Sequence, residues 1–266
     1  MSLLSALTLL PPLSLTQGTV ALAVAFAAGA INSLAGGGTL IMFPTLIWLG
    51  LDSVTANATS TVALWPFNIG ATVGYWREIV QVERRMHYMI IPGAVGGFVG
   101  AMLLRLTPIA TFDRLVPYLI LFATFLFMAQ EPVQRLLKTS RPQGHKSMTW
   151  FAWALVFQLF VGVYGGYFGA GIGIAMLAVF GILGMTDIHQ MNALKNILGG
   201  AINAIAAIYF IVHRMVYWPY VGLMAVGSIA GGFSGARFAQ RIGRPMVRKI
   251  VIVVGFAMAI SLFLKH

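Results

Sequence analysis

The sequence predicts an all-α integral membrane protein built from two inverted repeats of one multi-helix unit. Three observations predict it: charge is scarce and clustered, the chain matches itself at a spacing of 135 residues, and its basic loops favour an odd number of crossings per repeat.

Of 266 residues, 59% are hydrophobic and 9% charged, where a soluble domain carries about a quarter charged. From Met1 to Trp76 the only charged side chain is Asp52, and 88–104, 115–130, 147–186, 196–212, 215–236 and 250–264 have none. Several of these tracts reach or approach the ~20 residues that a helix needs to cross the hydrocarbon core. A soluble core of that size would need a polar shell that this composition does not contain.

The elements follow in order. Residues 1–17 are apolar but interrupted by Pro11-Pro12, and they lack the basic start and small-residue cleavage site of a signal peptide. They read as a retained interfacial lead-in. A first repeat occupies 18–130: a short apolar helix at 18–33, a glycine turn at 34–38, a second short segment at 39–51, and longer spans near 57–75, 87–105 and 114–130. The basic stretch 131–147 reads as a cytoplasmic linker. The second repeat, 148–266, has equivalents at 149–166, 167–173, 174–185, 192–212, 216–236 and 247–264. Each repeat thus has a broken or short helix pair plus three longer transmembrane helices, about 8–10 membrane segments in all.

The duplication rests on polar residues as well as glycines. At the 135-residue offset Gly36 meets Gly171, Gly38 meets Gly173, Asp52 meets Asp187, Asn57-Ala58 meets Asn192-Ala193, and Asn68 meets Asn203. Gly96-Gly97-Phe98-Val99-Gly100-Ala101 meets Gly231-Gly232-Phe233-Ser234-Gly235-Ala236 with five of six identical.

Charge sets the orientation. With four crossings per repeat the loop cations divide 9 against 7. With an odd number, Arg77, Arg84, Arg85, the four cations of the linker, and Arg237, Arg241, Arg244, Arg248 and Lys249 share one face. That gives 12 against 4 (Arg105, Arg114, Arg214, Lys265), with Lys195 assigned to neither. The positive-inside rule prefers the second division, with the repeats inverted and both termini outside. Inverted repeats with glycine-interrupted segments at matching positions are characteristic of carriers.

The candidate site lies where the helices break. Unpaired backbone within a membrane is tolerated where it lines a cavity or binds something. Gly36, Gly37 and Gly38 form one break, and Gly169-Ala170-Gly171-Ile172-Gly173 the other, with Gly171 and Gly173 as its candidates. Each precedes a helix start whose free N–H groups and dipole favour an anion, and Thr39 adds a hydroxyl. Close helix packing through small residues is the alternative use of such glycines. The next helices open with Asn57, Thr59 and Ser60 in one repeat and Asn192, Lys195 and Asn196 in the other, supplying amides, hydroxyls and one cation. A lysine at membrane depth is expensive and attracts an oxyanion, although one near a helix end also snorkels. Asn32, Asn68 and Asn203 are secondary candidates. Asp52 and Asp187 read as helix caps.

Other chemistries find little support. There are no cysteines, Glu78, Glu83 and Glu131 fall at loop positions, and the five histidines form no ligand-spaced pair. No catalytic residue, metal or cofactor is expected, so the chain does not read as an enzyme. The net charge of +11 is a loop property and gives no case for nucleic acid.

The run AGGGTLIMFPTLIWLGLDSVTANATST (35–61), its weaker repeat at 170–196 and the duplication resemble the TauE/SafE sulfite exporter family of bacterial anion carriers. The resemblance covers nearly the whole chain from about residue 18. In the second copy the proline position is Val179 and Thr-Ser becomes Leu194-Lys195. The resemblance implies a secondary transporter in the bacterial cytoplasmic (inner) membrane, moving sulfite or a small organosulfonate outward by alternating access. Its partners would be that small sulfur-containing anion and the lipid bilayer; a homo-oligomer is compatible with the sequence. A drug/metabolite-type inverted-repeat exporter of non-anionic cargo and an anion channel stay open as alternatives.

Overall fold

The computed structural model describes residues 14–34, 37–74, 76–139, 148–185, 187–235 and 244–265, and among them every regular element is helical. The order is α1 (Leu15–Leu34), α2 (Thr39–Trp48), α3 (Ser53–Gly74), α4 (Trp76–Gln81), α5 (Arg84–His87), α6 (Ile90–Leu106), α7 (Ile109–Thr139), α8 (Met148–Tyr167), α9 (Ile172–Ile182), α10 (Ile188–Val212), α11 (Trp218–Ala230) with a π turn at Gly231–Gly235, and α12 (Arg244–Lys265). Five stretches are long and apolar enough to cross a membrane: Leu15–Asn32, Arg84–Leu106, Ile109–Ala129, Met148–Tyr167 and His189–Val212. The helices α2 and α9 are apolar but short, as the sequence predicts.

Glycine decides which helices touch. Gly93, Gly96, Gly97 and Gly100 form the buried face of α6, while Ile91, Val95 and Phe98 stay exposed on the opposite face. That face suits lipid, which solvates apolar side chains without a hydrophobic penalty. A Cβ at Gly96 would overlap the Leu159 carbonyl of α8, and one at Gly100 the Val163 carbonyl. The same packing recurs between α1 and α11, where a Cβ at Gly227 would stand 2.8 Å from the Leu22 carbonyl oxygen and one at Gly231 would overlap the Phe26 carbonyl. In both pairs residue number rises together along the two helices, so each pair runs parallel.

The remaining partners repeat in the same exchanged fashion. The helix α3 packs on α11 and α10 packs on α6; α9 meets α7 and α2 meets α12; α3 and α10 meet each other, as do α7 and α12. Along α7 and α12, Tyr118 stacks edge-on with Phe263 at 5.1 Å and Phe125 with Phe256 at 5.7 Å. Number rises on one helix as it falls on the other, so these two run antiparallel.

Three local differences from the sequence reading have physical causes. The apolar span of α7 ends at Ala129, but the helix continues through Pro132 to Thr139. Loss of hydropathy at Glu131 ends a membrane span without ending a helix, so part of the expected linker is helical. The basic loop 77–85 is likewise largely helical: Ile79, Val82 and Met86 are buried, and the Arg85 guanidinium lies 4.2 Å from the Phe151 ring of α8. The span expected at 216–236 changes to a π turn at its glycine pair, a local widening of the helix often found at functional positions.

Candidate functional site

The first helix break is closed by its own side chain. Asn32, in the last turn of α1, points its Oδ1 at the chain beyond, accepting from Gly37 N at 2.9 Å and Gly38 N at 2.8 Å. A Cβ at Gly38 would stand 2.6 Å from the Ala28 carbonyl oxygen, so only glycine lets α2 start this close to α1. Thr39 follows as the first residue of α2 and is half-buried. Gly36 lies outside the described residues.

The second break is built differently. Gly169 and Gly171 both have φ of +83°, the left-handed region that side-chain-bearing residues avoid, and Gly171 caps the start of α9. As at the start of α2, no side chain caps that helix start. Asn57, 1% exposed near the start of α3, instead reaches across from the other half of the chain, and its Nδ2 donates to the Tyr167 carbonyl at 2.9 Å. That carbonyl ends α8 where the break begins. The pairing fixes the amide's orientation, since the flipped amide would set two acceptors face to face. The Asn57 Oδ1 is consequently directed elsewhere, and it is buried without a partner among the described residues.

Lys195 lies beside the same break. Its stem crosses Gly173, with Cδ 2.7 Å from where a Cβ would be, and its Nζ donates to Asn192 Oδ1 at 3.1 Å. Gly173, Asn192 and Lys195 therefore come together in the first turn of α9 and the facing surface of α10. An ammonium and a helix N-terminus are both positive in character, and a membrane interior screens neither.

Both breaks meet α7 within one helical turn. The Gly37 Cβ position is 2.9 Å from the Phe127 ring, and that of Gly171 is 3.3 Å from Leu126 Cδ1 and 3.5 Å from the Ala123 carbonyl. Phe43 of α2 and Phe168 of the second break also pack edge to face at 5.4 Å. Glycine segments 134 residues apart in sequence are thereby brought to one place.

The remaining candidates divide. Asn203 Oδ1 faces the second break, 3.8 Å from the Cβ position of Gly169. Thr59 accepts from Tyr217 N at 3.0 Å, and Ser60 donates to the Asn57 carbonyl at 2.9 Å within its own helix, the ordinary alternative for a hydroxyl in a helix. Asn68 and Asn196 are half-buried on α3 and α10. Asp187 caps α10, accepting from His189 N at 2.8 Å, and Asp52 accepts from Thr55 N at 2.9 Å at the start of α3. Sequence reasoning did not anticipate the 123–127 turn of α7, Tyr167 or Phe168. Aromatic and aliphatic residues in an apolar helix carry no mark of a neighbour far along the chain.

Comparison with known proteins agrees on the class. The chain is 28% identical over 238 residues to a protein of Sinorhizobium named "Probable membrane transporter protein ORF9", covering 90% of this chain and 89% of that one. It is 26% identical to a "Probable membrane transporter protein" of Haemophilus influenzae, covering 88% and 90%, and 26% identical to the "Probable membrane transporter protein YfcA" of Escherichia coli, covering 90% and 87%. No solved structure gives a significant match. Apolar helices and these likenesses agree on a multi-pass membrane protein, which in bacteria belongs to the inner membrane. The pattern described as "Sulfite exporter TauE/SafE" runs along residues 21–262, from α1 to α12, and the chain belongs to that family.

Proposed function

We propose that this protein is a secondary transporter that carries sulfite or a small organosulfonate anion outward across the membrane. The observation that carries the reading is the meeting of two helix breaks on one turn of α7, with Lys195 against the start of α9. A broken helix exposes backbone dipoles at membrane depth, and an ammonium beside a helix N-terminus favours a negative ligand. The family description and the transporter names of the relatives point the same way.

Alternating access of two inverted repeats, 18–130 and 148–266, is the mechanism we assign. The exchanged helix pairs and the antiparallel run of α7 beside α12 support it. Moving one anion out of an interior-negative compartment is downhill by about 2.3 kcal/mol per 100 mV, so export requires no coupling proton. The one carboxylate in the five long apolar stretches, Asp113, stands in the second turn of α7 beside Arg114, near the end of its span and not at its centre.

The test is uptake into proteoliposomes of purified protein, with sulfite, sulfate, thiosulfate, taurine and sulfoacetate as labelled cargo. Saturable flux selective for sulfite or a sulfonate, matched by thermal stabilisation with the same compound, is the expected result. Folded protein that responds to none of the panel would refute the anion reading. Large voltage-driven currents would replace the carrier with a channel.

A further inference from the structure

A buried tyrosine hydroxyl at the second break has no hydrogen-bond partner among the described residues. Tyr164 lies on α8, one turn before the helix ends, and its carbonyl accepts from Phe168 N at 2.9 Å and Gly169 N at 3.2 Å as the chain leaves the helix. Its ring packs edge-on against Phe122 of α7 at 5.3 Å and tilts against Phe168 at 6.4 Å. Phe122 is the neighbour of Ala123, whose carbonyl meets Gly171. The ring is thus wedged between the break and the turn of α7 on which both breaks converge. The Tyr164 hydroxyl is buried and makes no hydrogen bond among the described residues.

Buried tyrosine hydroxyls ordinarily find a partner, and an orphaned one destabilises the fold. Phenylalanine would fill the same aromatic slot without that penalty. The neighbouring rings of Phe122 and Phe168 have no polar atom to offer. What an O–H of this kind recognises is an acceptor, and the strongest acceptors are charged oxygens.

Building on the anion-carrier reading above, we infer that Tyr164 is a cargo-binding residue whose hydroxyl donates a hydrogen bond to an oxyanion oxygen at the second helix break. It supplies a neutral donor on the α8 side of the break, while Lys195 supplies charge from α10. Neutral donors of this kind hold an anion without the long-range pull of a second cation, which suits a carrier that must also release its cargo.

Tyr164→Phe removes only the hydroxyl, so binding and folding separate cleanly. In proteoliposomes with labelled sulfite, the variant is expected to raise the KM for uptake about tenfold. Its thermal midpoint without sulfite should equal or exceed that of the parent. Tyr118→Phe, which alters an exposed hydroxyl on the outer face of α7, should leave both quantities unchanged. An unaltered KM in Tyr164→Phe, or an equal loss in Tyr118→Phe, would overturn the assignment. So would a loss of uptake that merely tracks a lowered thermal midpoint, since the hydroxyl would then be structural. Parent protein that takes up none of sulfite, sulfate, thiosulfate, taurine and sulfoacetate would remove the carrier reading and this assignment with it; where one of them is taken up, the same comparison is made with that compound, and an unaffected Tyr164→Phe removes this assignment alone.

Discussion

The two helix breaks occupy matching places in the sequence, and both turn on positive-φ glycine and lead into a helix with no side-chain cap, yet their polar groups are satisfied differently. At the first, Asn32 of the preceding helix occupies the N–H groups of Gly37 and Gly38, so the turn satisfies itself. At the second, two left-handed glycines turn the chain, and the stabilising amide comes from Asn57 in the other half. Around it lie the Asn57 Oδ1 and the Tyr164 hydroxyl, both buried without partners among the described residues, and Lys195 with its stem across Gly173. The difference teaches that glycine breaks at matching sequence positions need not satisfy their polar groups in the same way. The first break is closed by its own side chain, and the second is where the proposed function puts the ligand.

The sharpest way to break this comparison is to remove the cation. Lys195→Met keeps an unbranched stem across Gly173 but deletes the ammonium. Charge-assisted hydrogen bonds contribute about 1.5–3 kcal/mol, so sulfite affinity in reconstituted uptake should fall at least about tenfold. Unchanged affinity would show that the second break binds no anion through this residue, and the functional contrast between the breaks would go with it.

The opposite change should have the opposite signature. Asn32→Ala orphans two backbone N–H groups at the first break, a loss of about 1–3 kcal/mol. Thermal unfolding in detergent should show it as a lowered midpoint, while the KM for sulfite among the folded molecules stays within about twofold. A large rise in KM without loss of stability would mean that Gly37 and Gly38 meet the cargo after all.

How much of this was legible in the sequence follows from the range of each interaction. The breaks, the caps Asp52 and Asp187, and the grouping of Asn192 with Lys195 are local, fixed by spacings of a few residues, and they appear where the sequence puts them. Asn32 was legible as polar but not as the residue that closes the turn, because its partners lie beyond a helix end whose direction the sequence does not specify. The loss of hydropathy at Glu131 marked the end of a span and was silent on the helix that runs to Thr139. The convergence on α7 was hidden for a different reason. Ala123, Leu126 and Phe127 are ordinary residues of an apolar helix, and only the packing of distant glycines against them gives them meaning.

The smallest expected effect probes whether the asymmetry extends beyond the breaks. The helix α3 is joined to α11 by two polar contacts, Tyr217 N to Thr59 Oγ1 at 3.0 Å and Ser228 Oγ to the Ala63 carbonyl at 3.3 Å. At the exchanged interface between α10 and α6, the equivalents of Thr59 and Ser228 are Leu194 and Gly93, which offer no side-chain hydroxyl. The bonded interface resists sliding because parting it strands the half-buried Tyr217 N–H, whereas an apolar one moves past glycine without that penalty. Thr59→Val keeps the shape and removes the acceptor, so it should lower stability by about 1 kcal/mol and leave the sulfite KM unchanged. If α3 and α11 stay together throughout the cycle, turnover also stays the same. If they must part, the weakened joint raises the maximal flux, and the interface that moves is the one carrying the hydrogen bonds.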